Sequence, residues 1–189
     1  SRGEDTLETE LFSGGEEVSD SVPSGKSKGT NEDFVLEPHK ALEKFGGIKP
    51  LLLQKEFASL EDFDNFLLDL DGTPNEQNLG GNLILALSTG FTKLLAKTQN
   101  LELYELIAEI AGPSTGGKIE KLPLCFFNVI NGGLHSKNSL PFQEYMFVPQ
   151  FSGPAENLKS AMLLIKVLGD KIQANYEKLR MGDEGGYEV

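Results

Sequence analysis

Residues 122–133, Leu122-Pro123-Leu124-Cys125-Phe126-Phe127-Asn128-Val129-Ile130-Asn131-Gly132-Gly133, decide the reading of the fold. Leu122–Ile130 is a nearly continuous apolar run. Strands that alternate in and out do not look like this; strands buried on both faces do. Pro123 suits the start of such a strand, where no ladder hydrogen bond is lost. Asn131-Gly132-Gly133 then breaks it. Downstream, Phe142–Pro149 reads as a second strand. A long amphipathic helix should follow from about Pro154 to Leu179, with Leu158, Met162, Ile165, Leu168 and Ile172 at helical spacing. Strand, strand and helix begin an α/β barrel. A closed eight-stranded one takes roughly 250 residues, and only about 70 are left here, so the barrel is expected to be truncated. Cys125 is the only cysteine, which excludes an internal disulfide. Inside so apolar a run it reads as a small buried hydrophobe.

Working back from this strand, residues 113–121 (PSTGGKIEK) are small and polar and read as a linker. Ahead of the linker the pattern is different. Thr6–Phe12 and Glu16–Val22 flank Ser13-Gly14-Gly15 and predict a β-hairpin. Pro38–Phe45 predicts a short helix ended by Gly46-Gly47. Ser59–Leu70 predicts a helix capped by Ser59 with Asp62 in a capping-box position. Gly81–Lys97 predicts a longer helix with Ile84, Leu87, Phe91, Leu94 and Leu95 inward. Leu101–Ala111 predicts another, with Leu103, Ile107 and Ile110 inward and Gly112-Pro113 as the stop. The expected organisation is an α+β domain over residues 1–116 (antiparallel hairpin or meander plus helices), then the first elements of a TIM-like α/β barrel over 117–189. Ser1-Arg2-Gly3 at one end and Glu188-Val189 at the other read as cuts in a longer chain.

Composition narrows the function. Hydrophobic residues make up 39% and charged residues 24% of 189, as in a folded domain. The net charge of −12 argues against nucleic acid and anionic lipid as partners. No signal peptide or membrane-spanning stretch is read, and a reducing compartment fits the lone cysteine. An anionic substrate would need a cation to offset this field, and a divalent metal held by acids is the simplest.

Candidate chemistry sits in four places. Gly25-Lys26-Ser27 suggests a phosphate loop, but the first glycine of that motif would fall on Asp20, and a flexible polar loop is the plainer reading. Glu184 lies in Gly182-Asp183-Glu184-Gly185-Gly186, where glycines let the backbone bring a carboxylate to a site edge. By itself such a cluster is usually a solvated turn. Glu144 interrupts the apolar run Phe142–Val148; either it is buried and needs a partner, or it faces solvent. His135 follows the Asn131–Leu134 break and reads equally as a mobile catalytic group or a surface residue. His39 reads as surface.

Taken together, these segments resemble enolase. The barrel-side matches are Asn128-Val129-Ile130-Asn131-Gly132-Gly133-Leu134-His135, then Gln143-Glu144-Tyr145-Met146, then Gly182-Asp183-Glu184-Gly185-Gly186, in the family's order. The first part matches through Ser1-Arg2-Gly3, through Val22-Pro23-Ser24-Gly25 with Ser27 and Gly29, through Leu70-Asp71-Gly72-Thr73, and through Leu79–Leu85. The resemblance implies reversible dehydration of 2-phosphoglycerate to phosphoenolpyruvate in glycolysis, Mg²⁺ as cofactor, a cytoplasmic location and a homodimer or larger ring. It implies Glu184 as proton donor to the leaving hydroxide and Glu144 beside it. Gln143 would join the polar network near the substrate, His135 would lie on a closing loop, and Ser27 would bind a second Mg²⁺. The family's acidic ligands for the first Mg²⁺, its lysine base and its phosphate-binding arginine lie later in the barrel, so the 189 residues alone are expected to be inactive. Lys26 and Lys28 depart from the family's usual loop. They leave open a non-catalytic enolase-like binding protein and, as a third reading, a phosphate-binding module.

Overall fold

A computed structural model of the chain describes residues 3–25, 29–112, 121–133, 136–175, 178–182 and 184–189. The chain divides into two compact units, Ser1–Ile119 and Glu120–Val189. The division expected near residue 117 falls in a segment outside the described residues.

The first unit starts with a hairpin, β1 Leu7–Ser13 against β2 Glu16–Val22, in register from Leu7↔Val22 to Ser13↔Glu16. The turn is Gly14-Gly15, with φ of 61° and 84°. Two successive positive φ values match the twist of the strands, and glycine adopts them without a Cβ clash. Leu7, Thr9 and Leu11 share one face and pair with Val22, Asp20 and Val18. Four helices follow: α1 Pro38–Leu53, α2 Leu60–Asp71, α3 Gly81–Thr98 and α4 Leu103–Ala111.

The hairpin seats on α3. The Thr9 hydroxyl donates to the Ala86 carbonyl at 3.1 Å, and Lys93 Nζ reaches Asp20 Oδ1 at 2.6 Å. Gly90 makes this seat possible, because a Cβ there would meet Leu11 Cδ1 at 2.5 Å and Thr9 Oγ1 at 2.9 Å. Gly90→Val is therefore expected to overpack the seam and cost about 2 kcal/mol, read as a lower urea midpoint for the first unit by circular dichroism. Below the seam the core joins Ala41 and Ile48 of α1, Phe63 and Leu67 of α2, and Leu83, Ala86 and Leu87 of α3. Phe63 stacks on Phe91 with ring centres 4.2 Å apart, which links α2 to α3.

Three sequence expectations for this unit need correction. The first helix does not stop at Gly46-Gly47; it runs to Leu53, past Pro50. Ala41 and Ile48 are one heptad apart and both buried, so packing outweighs the local cost of two glycines. Pro50 removes one donor in the last turn and no more. In α2, Ser59 does cap the helix by accepting from the Asp62 N–H at 3.1 Å. Asp62, however, takes the Ala58 N–H instead of closing the box on Ser59. In α4 the expected inward residues Leu103, Ile107 and Ile110 are exposed, and Leu106 and Ala108 are buried. That helix is apolar on several sides, so periodicity could not select the face. Its cap is a box formed by Glu102 and Glu105.

The second unit is an open sheet with one helix. β3 Phe127–Asn131, β4 Glu144–Phe147, α5 Pro154–Asn175, β5 Arg180–Met181 and β6 Tyr187–Glu188 follow in chain order. The sheet order is β4-β3-β6-β5, with β3 and β6 parallel and the other neighbours antiparallel. Tyr187 is buried, its hydroxyl donates to the Ile165 carbonyl at 3.1 Å, and Gly169 of α5 leaves room for its ring. α5 thus covers the sheet face that carries Tyr187.

The expected strand Leu122–Ile130 is shorter than its apolar run. Pairing begins at Phe127, and Leu122, Leu124, Cys125 and Phe126 are exposed. A strand buried on both faces needs a layer on each face. α5 supplies one, so Cys125 is an exposed thiol and not a core residue. For the same reason Leu158 and Met162 of α5 are exposed, while Ala161 and Ile172 pack inward. The described helix ends at Asn175, short of the expected Leu179, and residues 176–177 lie outside the described set.

Candidate functional site

Glu144 opens β4. Its register partner is Asn131, the last residue of β3, and Asn131 pairs on its other side with Glu188 of β6. Neighbouring residues in register point to the same face, and successive residues alternate. Tyr187 faces α5, so Glu188, Asn131 and Glu144 face away from it. A barrel carries its helices outside, so this uncovered face corresponds to the barrel interior.

A bulge adds Asn128 to that face. Asn128 pairs with Met146 and Ile130 with Tyr145, so Val129 is an extra residue on β3. In a regular strand Asn128 and Asn131, three apart, would point to opposite sides. With Val129 bulged out, both lie on the face of Glu144.

The turn that carries Glu184 closes on the same place. It links β5 to β6 through Gly182 N–H to Gly186 O at 2.8 Å and Gly185 N–H to Gly182 O at 3.0 Å. A Cβ at Gly182 would lie 3.0 Å from Asn131 Oδ1, and one at Gly186 would overlap that oxygen and come within 2.9 Å of Asn128 Oδ1. Glycines are thus needed on both sides of Glu184 for close approach, not only for bending. Glu184 itself is exposed and Glu144 half-buried. Asn131, the register partner of Glu144, is 1% exposed, and the glycines on either side of Glu184 close on its side chain.

Gln143 is exposed, and its backbone carbonyl accepts from the Gly132 N–H at 2.9 Å, which ties the Gly132-Gly133 break to the start of β4. Asn138 Nδ2 donates to the Asn131 carbonyl at 2.8 Å and Gly133 N–H to the Leu140 carbonyl at 2.9 Å, so this loop is laced to the end of β3. His135 lies outside the described residues. The asparagines 128 and 131 were not singled out as site residues from the sequence. The signal was present, two amides inside an apolar run, but their common face depends on the bulge.

In the first unit, Ser24 and Gly25 border a cleft of about 690 Å³. Seven carboxylates line it: Glu4, Asp5, Glu32, Asp33, Glu37, Asp64 and Glu76. Burial, then the charges of Asp33 and Asp71, push the Glu76 carboxyl above its usual range. Ser27, Lys26 and Lys28 lie outside the described residues. Among the described residues no three His, Cys, Asp or Glu side chains are gathered to hold a metal ion, and no helix is long and apolar enough to cross a membrane.

Comparison with known proteins identifies this arrangement. The family model described as enolase, N-terminal domain, matches residues 1–107, and that described as enolase, C-terminal TIM barrel domain, matches residues 119–189. An enolase of Methanopyrus kandleri is 35% identical over 99% of this chain and 46% of its own length. Enolase B of Dictyostelium discoideum and enolase 1 of Entamoeba histolytica are each 34% identical over 99% of this chain and 45% of their own. The chain thus spans just under half the length of the curated relatives it matches. Its α+β first part and the open sheet after it correspond to the enolase N-terminal domain and part of the TIM barrel, with no closed barrel among the described residues. Two successive matches to the same family, covering both units, establish that this chain belongs to the enolase family.

Proposed function

We propose that these residues are the front part of an enolase whose complete form interconverts 2-phosphoglycerate and phosphoenolpyruvate, with the domain junction between residues 116 and 117. The observation that supports the reading is that Glu144 pairs in register with the buried Asn131, on whose side chain the glycines on either side of Glu184 close.

The chemical task is to remove a proton next to a carboxylate and expel hydroxide from the neighbouring carbon. Glu184 supplies the second half: its carboxyl proton passes to the departing oxygen, the C–O bond breaks, and water leaves. In this reading Glu144 lies on the same side of the substrate and helps hold the proton and the leaving water. Gln143 and His135 hold substrate oxygens and close the loop over them. The base for the first half belongs to residues beyond this chain.

The reading brings Mg²⁺ with it for the whole protein, with Ser27 as one ligand. The described donors do not fit a complete ion site, since no three acids or histidines converge, and no step is routed through a metal here. A cytoplasmic homodimer or larger ring completes the proposal, with no nucleic acid and no membrane span. Seven carboxylates in the first unit's cleft disfavour the phosphate-module reading, because they repel the anion.

The test is an assay for phosphoenolpyruvate by its ultraviolet absorbance. The longest reading frame that contains these residues is expected to be active, and residues 1–189 alone inactive. An inactive complete protein that still binds a partner would establish the alternative, a non-catalytic enolase-like binding protein.

A further inference from the structure

Asn131 is 1% exposed, and neither its Nδ2 nor its Oδ1 has a hydrogen-bond partner among the described residues. Burying an unsatisfied polar group is costly, and an apolar side chain of the same volume would be cheaper in that place. Its surroundings explain why an amide stands there. Gly182 and Gly186 close on Oδ1, and Asn128 lies alongside. Glu144 and Glu188 are its register partners on either side.

We infer that Asn131 is a positioning residue: its buried side chain, next in register to Glu144, is the seat on which the turn that carries Glu184 closes. The catalytic part rests on the reading of those two glutamates given above; the seating of the turn does not. Gly182 and Gly186 are part of the same device, since a methyl group at either would push the turn off the amide. Asn128, brought to the same face by the Val129 bulge, meets the turn at Gly186.

Asn131→Leu separates positioning from structure. It keeps the volume and removes the unsatisfied polar atoms, so a purely structural role predicts equal or higher thermal stability and unchanged catalysis. Positioning predicts a different pattern in the complete protein: melting temperature held or raised, kcat lowered 10- to 100-fold, and KM within twofold. Wild-type kcat in Asn131→Leu would overturn the inference, and so would equal losses of stability and kcat. Gly182→Ala moves the turn from the other side of the contact and is expected to lower kcat in the same way, whether or not the leucine variant folds. If the complete wild-type protein is inactive, the roles given to Glu144 and Glu184 fail. Backbone hydrogen exchange on residues 1–189 then decides the seating. Tenfold faster exchange confined to residues 184–186 in Asn131→Leu supports it, and an unchanged turn overturns it.

Discussion

Asp71→Ala is expected to destabilise the first unit by about 4 kcal/mol, a large share of the 5–15 kcal/mol that holds a typical domain. Asp71 is 2% exposed at the C-terminal end of α2. Its carboxylate accepts from the Thr73 N–H at 3.0 Å, the Asn78 N–H at 3.0 Å, the Leu79 N–H at 2.6 Å and the Thr73 hydroxyl. One side chain thus folds the Gly72–Asn78 connection back onto the start of α3. Alanine would leave these donors facing a cavity, and the Leu79 N–H is buried. The measurement is the urea midpoint of the first unit, followed by far-ultraviolet circular dichroism.

The same residue sets a pH dependence. Burial works against the Asp71 carboxylate, but the Thr73 hydroxyl and the Leu79, Thr73 and Asn78 N–H groups outweigh it and hold the pKa below the usual range. A group whose folded pKa is depressed contributes stability above its unfolded pKa, near about 3.9 for aspartate, and loses it as pH falls through the folded value. Wild-type stability should therefore decline below about pH 4, and Asp71→Asn should flatten that limb while lowering stability at neutral pH.

Glu184→Gln in the complete protein is expected to lower kcat about 1,000-fold with little change in KM, because a general acid acts in the transition state and not in ground-state binding. Glutamine keeps the shape and loses the proton. Glu144→Gln should cost less, about 100-fold, since in the proposed site that carboxyl helps hold the proton without delivering it. Activity of Glu184→Gln near wild type would remove Glu184 from the acid role.

Much of the first unit was legible because its signals are local. Gly14-Gly15 specifies the turn type, and Ser59 with Asp62 marks a helix start. The extension of α1 through Gly46, Gly47 and Pro50 was not legible, since Ile48 earns its place by contact with other helices. The buried face of α4 was hidden by apolar residues on several sides. Cys125 was misread because an apolar run gives the need for burial and not the layer that provides it. For the candidate site, chemistry and spacing single out Glu144 and Glu184 in the sequence, but not the buried Asn131 amide, whose sharing of a face with Asn128 depends on a one-residue bulge. His135 and Ser27 lie outside the described residues.

The parallel pair in the second unit has a consequence for synthesis. Ile130 bonds across to Tyr187, fifty-seven residues later, whereas the hairpin of the first unit closes within sixteen. A nascent chain leaves the ribosome from its N-terminus, so the hairpin can form as soon as it emerges. β3 can pair with β4 on one side early, but its other edge must wait until Tyr187 has cleared the exit tunnel. For that interval the open edge of β3 is a natural target for a chaperone that grips extended chain.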